Sequence, residues 1–191
     1  MKLFNSINCA LLLSSISLTN LNAQQTIRFK NGEQINTVTN NLSHASTEVV
    51  QGKFYRIIQF SQIPSIQDRE ALMKEGVELL DYLPPKAYYA SIDHQSQVDL
   101  NRFNIVNVSV ISNSYKLSEE LLYNALDVWA VSGKDVLINA QFFKGTSKEL
   151  VKRNIESLGG KIIKINDSQI VRIQIKKSKL ELLYDLSLIH I

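Results

Sequence analysis

Cysteine is almost absent: Cys9 is the only one in 191 residues. It lies in a segment that reads as a secretory leader, so the mature chain is expected to carry no thiol and no disulfide. An excess of charge of either sign is lacking as well. The net charge is +3, too small to argue by itself for nucleic acid or an anionic membrane as partner. The sequence has no G-x-G-x-x-G, no P-loop and no paired-carboxylate motif. Its histidines, His44, His94 and His190, share no i, i+4 or other metal-ligand spacing. No active site is therefore visible, and no cofactor or metal is implied.

What is present begins with an address. Lys2 gives a positive start, Ala10–Leu18 is apolar, and Leu21-Asn22-Ala23 ends on a small residue before Gln24. Met1–Ala23 reads as a signal peptide cleaved between Ala23 and Gln24; the alternative is a buried N-terminal helix. The apolar run is too short for a permanent anchor. Ser6-Ile7-Asn8 before Cys9 lacks the small-residue lead of a lipoprotein. The expected location is outside the cell or in its envelope, with no membrane attachment after cleavage.

The remainder has ordinary globular composition, 45% hydrophobic and 20% charged. One unit occurs twice. At a spacing of 83 (143 − 60), Phe60 falls on Phe143, Gly76 on Gly159, Tyr88 on Val171, Ile92 on Ile175 and Leu100 on Leu183. The fold class is expected to be α+β: two tandem ferredoxin-like β-α-β-β-α-β units, the second truncated before its last strand.

Residues 24–52 read as a polar leader with turn signals at Asn31-Gly32 and Asn40-Asn41. The first unit spans 53–111. Phe54–Phe60 is a strand, Ser65 caps a helix with Asp68 in the third position, and Gly76 stops it. Val77–Tyr82 and Ala87–Ile92 are strands parted by Pro84-Pro85. Gln95–Phe103 is a second helix with Val98 and Phe103 inward, and Ile105–Ile111 is a fourth strand. In strand Phe54–Phe60 both faces are apolar, so the face away from the helices calls for a cover, which a partner domain could supply.

Residues 112–134 form a connector with a short helix capped by Ser118. Trp129, the only tryptophan, reads as an anchor between the units, or less readily as a ligand-stacking side chain. The second unit spans 135–185: strand Leu137–Phe143, a helix capped by Thr146 with Glu149 in the third position, strands Lys161–Ile165 and Gln169–Ile175, then a helix from Lys179. Lys161, Lys164, Arg172, Lys176, Lys177 and Lys179 read as a solvated face. Leu186–Ile191 admits the codon series CTG TCT CTT ATA CAC ATC, which matches the mosaic-end adaptor of transposase-based sequencing libraries. Residues 186–191 are therefore expected to be an artefact, the alternative being a natural, incomplete strand.

Gly145-Thr146-Ser147 imitates the nucleophile motif of subtilisin-like proteases. Lys148-Glu149 follows it, helix capping explains it, and no Asp or His block completes a triad.

Residues 50–185 nevertheless resemble the N-terminal prodomain of secreted bacterial subtilisin-like serine proteases. The resemblance is carried by Lys53-Phe-Tyr-Arg-Ile-Ile-Gln-Phe60, Gly76, Val77-Glu-Leu-Leu-Asp-Tyr82, Ala87-Tyr-Tyr-Ala-Ser-Ile92 and the connector segments Lys116-Leu117 and Val128-Trp129-Ala130. It implies tandem inhibitor-type units serving as intramolecular chaperone and temporary inhibitor of a catalytic domain, the partner in cis, absent from this chain. It carries over no catalytic residue, so the chain itself is expected not to be an enzyme. The alternatives are a stand-alone secreted inhibitor or binding module, an RNA-binding sheet using Tyr55, Tyr88 and Tyr89, which secretion argues against, and an enzyme in its own right.

Overall fold

The computed structural model describes residues 26–35, 42–186 and the backbone of 189–190. The expected signal peptide and its cleavage site at Ala23 and Gln24 lie outside the described residues, as does Asn40-Asn41.

The architecture is α+β, with two antiparallel sheets. The first contains β1 (Lys53–Phe60), β2 (Val77–Leu83), β3 (Ala87–Asp93) and β4 (Ile105–Val110), in the order β2-β3-β1-β4. Helix α1 (Ile66–Lys74) links β1 to β2. Ser65 caps it by accepting the Asp68 amide, and Asp68 returns the bond to the Ser65 amide. Phe54, Ile58 and Phe60 of β1 bury one face against Leu72, Val77, Val98 and Phe103.

The connector holds α2 (Asn113–Lys116) and α3 (Glu119–Leu122). The second sheet contains β5 (Val131–Ser132), β6 (Asp135–Phe142), β7 (Lys161–Ile165), β8 (Ile170–Lys176) and β9 (Ile189–His190). Its order is β5-β6-β8-β7, with β9 also on β6. Helix α4 (Lys148–Ser157) joins β6 to β7, and α5 (Leu180–Tyr184) follows β8. Val136, Ile138, Ala140 and Phe142 alternate inward onto Val151, Ile155, Ile173 and Leu183. Setting β5 aside, both sheets read second, third, first, fourth in their own chain order. Both also carry a register shift in the second strand, after Leu79 and after Ile162.

The gap-free repeat needs a correction. Across the ladders, Phe54 pairs with Ile92 and Val136 with Ile175, while Ile58 pairs with Tyr88 and Ala140 with Val171. The third strands are thus offset by 83 (175 − 92) but the first strands by 82 (136 − 54). The extra residue sits in the helix, which has 9 residues in α1 and 10 in α4. Phe60 is equivalent to Phe142, not Phe143. A one-residue slip turns every strand side chain to the other face, so the distinction decides where Phe143 points.

Four further expectations are revised. Ser147, not Thr146, caps α4, accepting the Leu150 amide at 3.2 Å. Residues 95–104 form turns and irregular chain rather than a helix. Asp93 takes the Gln95 amide and Asp99 the Asn101 amide, and Asn104 has φ +56; side chains that capture nearby amides compete with helix. Val98 and Phe103 are still buried. The second sheet is not cut off before its last strand, since Ile189–His190 pairs with Gln141 and Phe142 as a two-residue stub. Finally, the second face of the first sheet is already covered within the chain. Ile57 and Ala87 pack under Ile27, Ile35 and Phe29 of the leader. Tyr55, Tyr89 and Leu80 join the core of the second sheet.

Candidate functional site

The side chains that imitate a catalytic centre are dispersed and engaged elsewhere. The Ser147 hydroxyl is an N-cap. The His44 ring stacks on Phe54 at 4.2 Å, and His94 Nδ1 lies 2.8 Å from the Gly52 carbonyl. The side chain of His190 lies outside the described residues. Among the described residues no group of three or more His, Cys, Asp or Glu side chains could hold a metal ion. The three tyrosines do not form one stacking platform. Tyr88 is buried on the helix side, where Arg69 donates to its hydroxyl at 2.6 Å. Tyr55 and Tyr89 face the opposite way, under Phe143.

Trp129 does not anchor the units. The residue is 72% exposed, and Nε1 donates to Asp127 at 2.9 Å. Two apolar side chains missed at the sequence level, Leu121 and Leu126, pack the connector on the second core instead. No periodic signal marks them: Leu121 lies in the four-residue α3 and Leu126 in irregular chain beyond it.

Three surfaces of the described residues combine shape with polar or aromatic chemistry. The first is a cleft of about 730 Å³ between the leader, the β2–β3 hairpin and the connector, walled by Phe29, Tyr82, Tyr89 and Tyr115. Asn31 locks its leader wall, donating to the carbonyls of Ser114 and Leu117 at 2.7 and 2.6 Å. Phe29 stacks on Tyr115 at 4.6 Å.

The second is an ionic junction of about 190 Å³ lined by Glu48, Arg56, Asn113, Lys116 and Asp185. Arg56 is buried and paired with Glu48 at 3.0 Å. Burial alone would raise the Glu48 carboxyl, but hydrogen bonds from Arg56 and the Ala45 amide outweigh it and hold the group below its usual range. The Lys116 ammonium, with its residue 6% exposed, donates to the carbonyls of Tyr184 and Leu186. Burial pushes its pKa down to about 8, while Asp185 works in the opposite direction. This lysine caps the C-terminal end of α5, where a cation suits the unpaired carbonyls.

The third is the face of the second sheet away from its helices. It presents Lys161 and Lys164 of β7 and Arg172 and Lys176 of β8, all exposed.

A family model, Domain of unknown function (DUF8729), matches residues 23–112. The matched stretch takes in the leader together with the first sheet, two parts that share a core through Ile27, Ile35, Ile57 and Ala87. No curated protein and no solved structure matches the chain. Among the described residues, no helix is long and apolar enough to cross a membrane.

Proposed function

We propose that this chain is the propiece of a secreted subtilisin-like serine protease precursor, an intramolecular chaperone and temporary inhibitor of a catalytic domain that follows it. The observation that carries this reading is the repeated strand order. Two antiparallel sheets, each ordered second, third, first, fourth and each packed on a helix after its first strand, share the strand order of the tandem ferredoxin-like arrangement that the resemblance implies, with turns at residues 95–104 in place of the first unit's second helix. Secretion through Met1–Ala23, with cleavage before Gln24, belongs to the same reading. Ser147, spent on capping, has no catalytic role in it. The test is refolding in trans. A urea-denatured catalytic domain from the same reading frame should regain peptidase activity faster with the chain than without it. An unchanged recovery contradicts the proposal.

One observation favours a second reading, a stand-alone secreted inhibitor or binding module. The face of the first sheet that a partner could have covered is closed by the leader and by Phe143, so that sheet needs no outside domain to complete its core.

A further inference from the structure

Asn31-Gly32 is the only Asn-Gly pair in the sequence. Glycine has no side chain to shield its backbone nitrogen, and in such a pair that nitrogen can attack the asparagine side chain. The reaction needs only water. The Gly32 amide gives its proton to solvent base, and its nitrogen bonds to Asn31 Cγ. The Cγ–Nδ2 bond breaks, and ammonia leaves with a proton returned by solvent. Water then opens the succinimide ring, giving aspartate at position 31 or its isoaspartyl isomer, with one negative charge gained.

The fold holds every group this reaction uses. Asn31 is 8% exposed. Its Nδ2, the leaving group, donates to the carbonyls of Ser114 and Leu117 at 2.7 and 2.6 Å. Its Oδ1 accepts the Glu33 amide at 3.1 Å. The attacking nitrogen of Gly32 donates its hydrogen to the Phe29 carbonyl at 3.1 Å. The hairpin that carries the pair is nevertheless lightly fastened. Residues 26–35 belong to neither sheet, and Arg28 and Gln34 bridge each other. Ile27 and Ile35 anchor the hairpin on Ile57 and Ala87, and Phe29 stacks on Tyr115. A segment with so few buried contacts opens locally, at less cost than global unfolding.

We propose that Asn31-Gly32 is a gated deamidation site: the docked hairpin protects it, opening exposes it, and the reaction then prevents redocking. A carboxylate donates no hydrogen bond. At position 31 it would set oxygen against the two carbonyls that Nδ2 now satisfies, leaving buried acceptors without a donor. Lys116, which lies between Ser114 and Leu117 in α2, does not compensate, because its ammonium is committed to the carbonyls of Tyr184 and Leu186. The isoaspartyl product also lengthens the turn backbone by one methylene. Release of the hairpin is thus one-way, and it opens the leader wall of the aromatic cleft. The proposal is independent of the propiece reading.

The test is peptide mapping by mass spectrometry on the mature chain, aged at mildly alkaline pH with and without urea. The folded wild type should deamidate at Asn31 at least about a hundredfold more slowly than the unfolded chain, and Ile27→Ala should speed the folded-state reaction about tenfold. Ser65→Ala, which removes the distant cap of α1, should leave the rate at the wild-type value. If Ile27→Ala does not fold, Phe29→Ala, at a half-buried position, makes the same comparison. In hydrogen exchange, Asn31→Asp should lose protection at the amides of Phe29, Gly32 and Ile35 while residues 54–60 keep theirs. Equal rates in the folded and unfolded wild type would overturn the proposal. So would a hairpin variant that folds and reacts no faster, or a Ser65→Ala rate raised as much as that of Ile27→Ala. Full hairpin protection in Asn31→Asp would overturn the one-way release.

Discussion

Tyr55 of β1 and Phe143, one residue beyond β6, stack with ring centroids 4.7 Å apart and planes 14° apart. Tyr89 closes on Phe143 from the side at 5.5 Å. Through this contact the non-helical face of the first sheet is buried in the core of the second. Phe143 is 2% exposed, so Phe143→Ala should destabilise the protein by about 3–5 kcal/mol. A double-mutant cycle with Tyr55→Ala should show a coupling of about 0.5–1.5 kcal/mol beyond area burial. Additive losses in chemical denaturation would mean that the stack contributes nothing of its own.

Ser147→Ala should cost about 1 kcal/mol by removing the N-cap of α4. Thr146→Ala should cost less, because its hydroxyl makes only a long contact, 3.4 Å, with the Tyr55 hydroxyl. Neither variant should alter peptidase activity, since the mature chain should have none. Cleavage of a casein substrate that Ser147→Ala abolishes would contradict the capping role.

Stability should rise as pH increases from about 8 toward 10. Burial lowers the Lys116 pKa to about 8 from an ordinary 10.5. In that window the folded amine is neutral while the unfolded one still binds a proton, so raising pH favours the fold. Above about 10 the trend should reverse. Burial raises Tyr89, with Asp81 adding to the effect, and burial raises Tyr184, with Glu181 adding to it. The unfolded phenols therefore ionise first. Lys116→Met should flatten the rise between pH 8 and 10 in denaturation measured across that range. An unchanged slope would remove Lys116 as its source.

A Cβ at Gly160 would stand 2.7 Å from Ile155 Cγ2 and 3.1 Å from the Ile155 carbonyl oxygen. That carbonyl also accepts the Gly160 amide at 3.0 Å, so the backbone cannot easily withdraw. Gly160→Ala should cost about 1–3 kcal/mol through overpacking at the α4–β7 junction, read from the denaturation midpoint.

Among the described residues, β6 is paired on its outer side only at its ends, by β5 at Asp135 and Val136 and by β9 at Gln141 and Phe142. In β1 the residues equivalent to Ile138–Ala140 are Arg56–Ile58, and β4 pairs with all of them. Amides of residues 138–140 should therefore exchange faster than those of residues 56–58. Equal protection in segment-resolved hydrogen exchange would mean that the connector, which packs Leu121 and Leu126 on this core, seals the edge completely.

The strands were legible because their apolar residues are long, β-branched or aromatic and bounded by turn residues, as in Phe54–Phe60. The cap at Ser65 was legible because its partner Asp68 is fixed by spacing. The one-residue insertion in α4 was not, because both alignments place phenylalanine on Phe60, and only the ladder separates Phe142 from Phe143. Residues 95–104 misled because Val98 and Phe103 are buried in a turn segment as they would be in a helix, while Asp93 and Asp99 took the amides locally. Trp129 misled because size argues for burial, yet the neighbouring Asp127 satisfies its N–H at the surface. The cationic face was legible as a run of charge. Its placement on the non-helical face of the second sheet required the register.

The most direct test of the propiece account is the native transcript beyond the codon for Asp185. The account predicts an open frame that supplies a fourth strand beside β6 and continues into a subtilisin-like catalytic domain. A stop codon shortly after Asp185, in a transcript free of adaptor sequence, would contradict it and leave the stand-alone module.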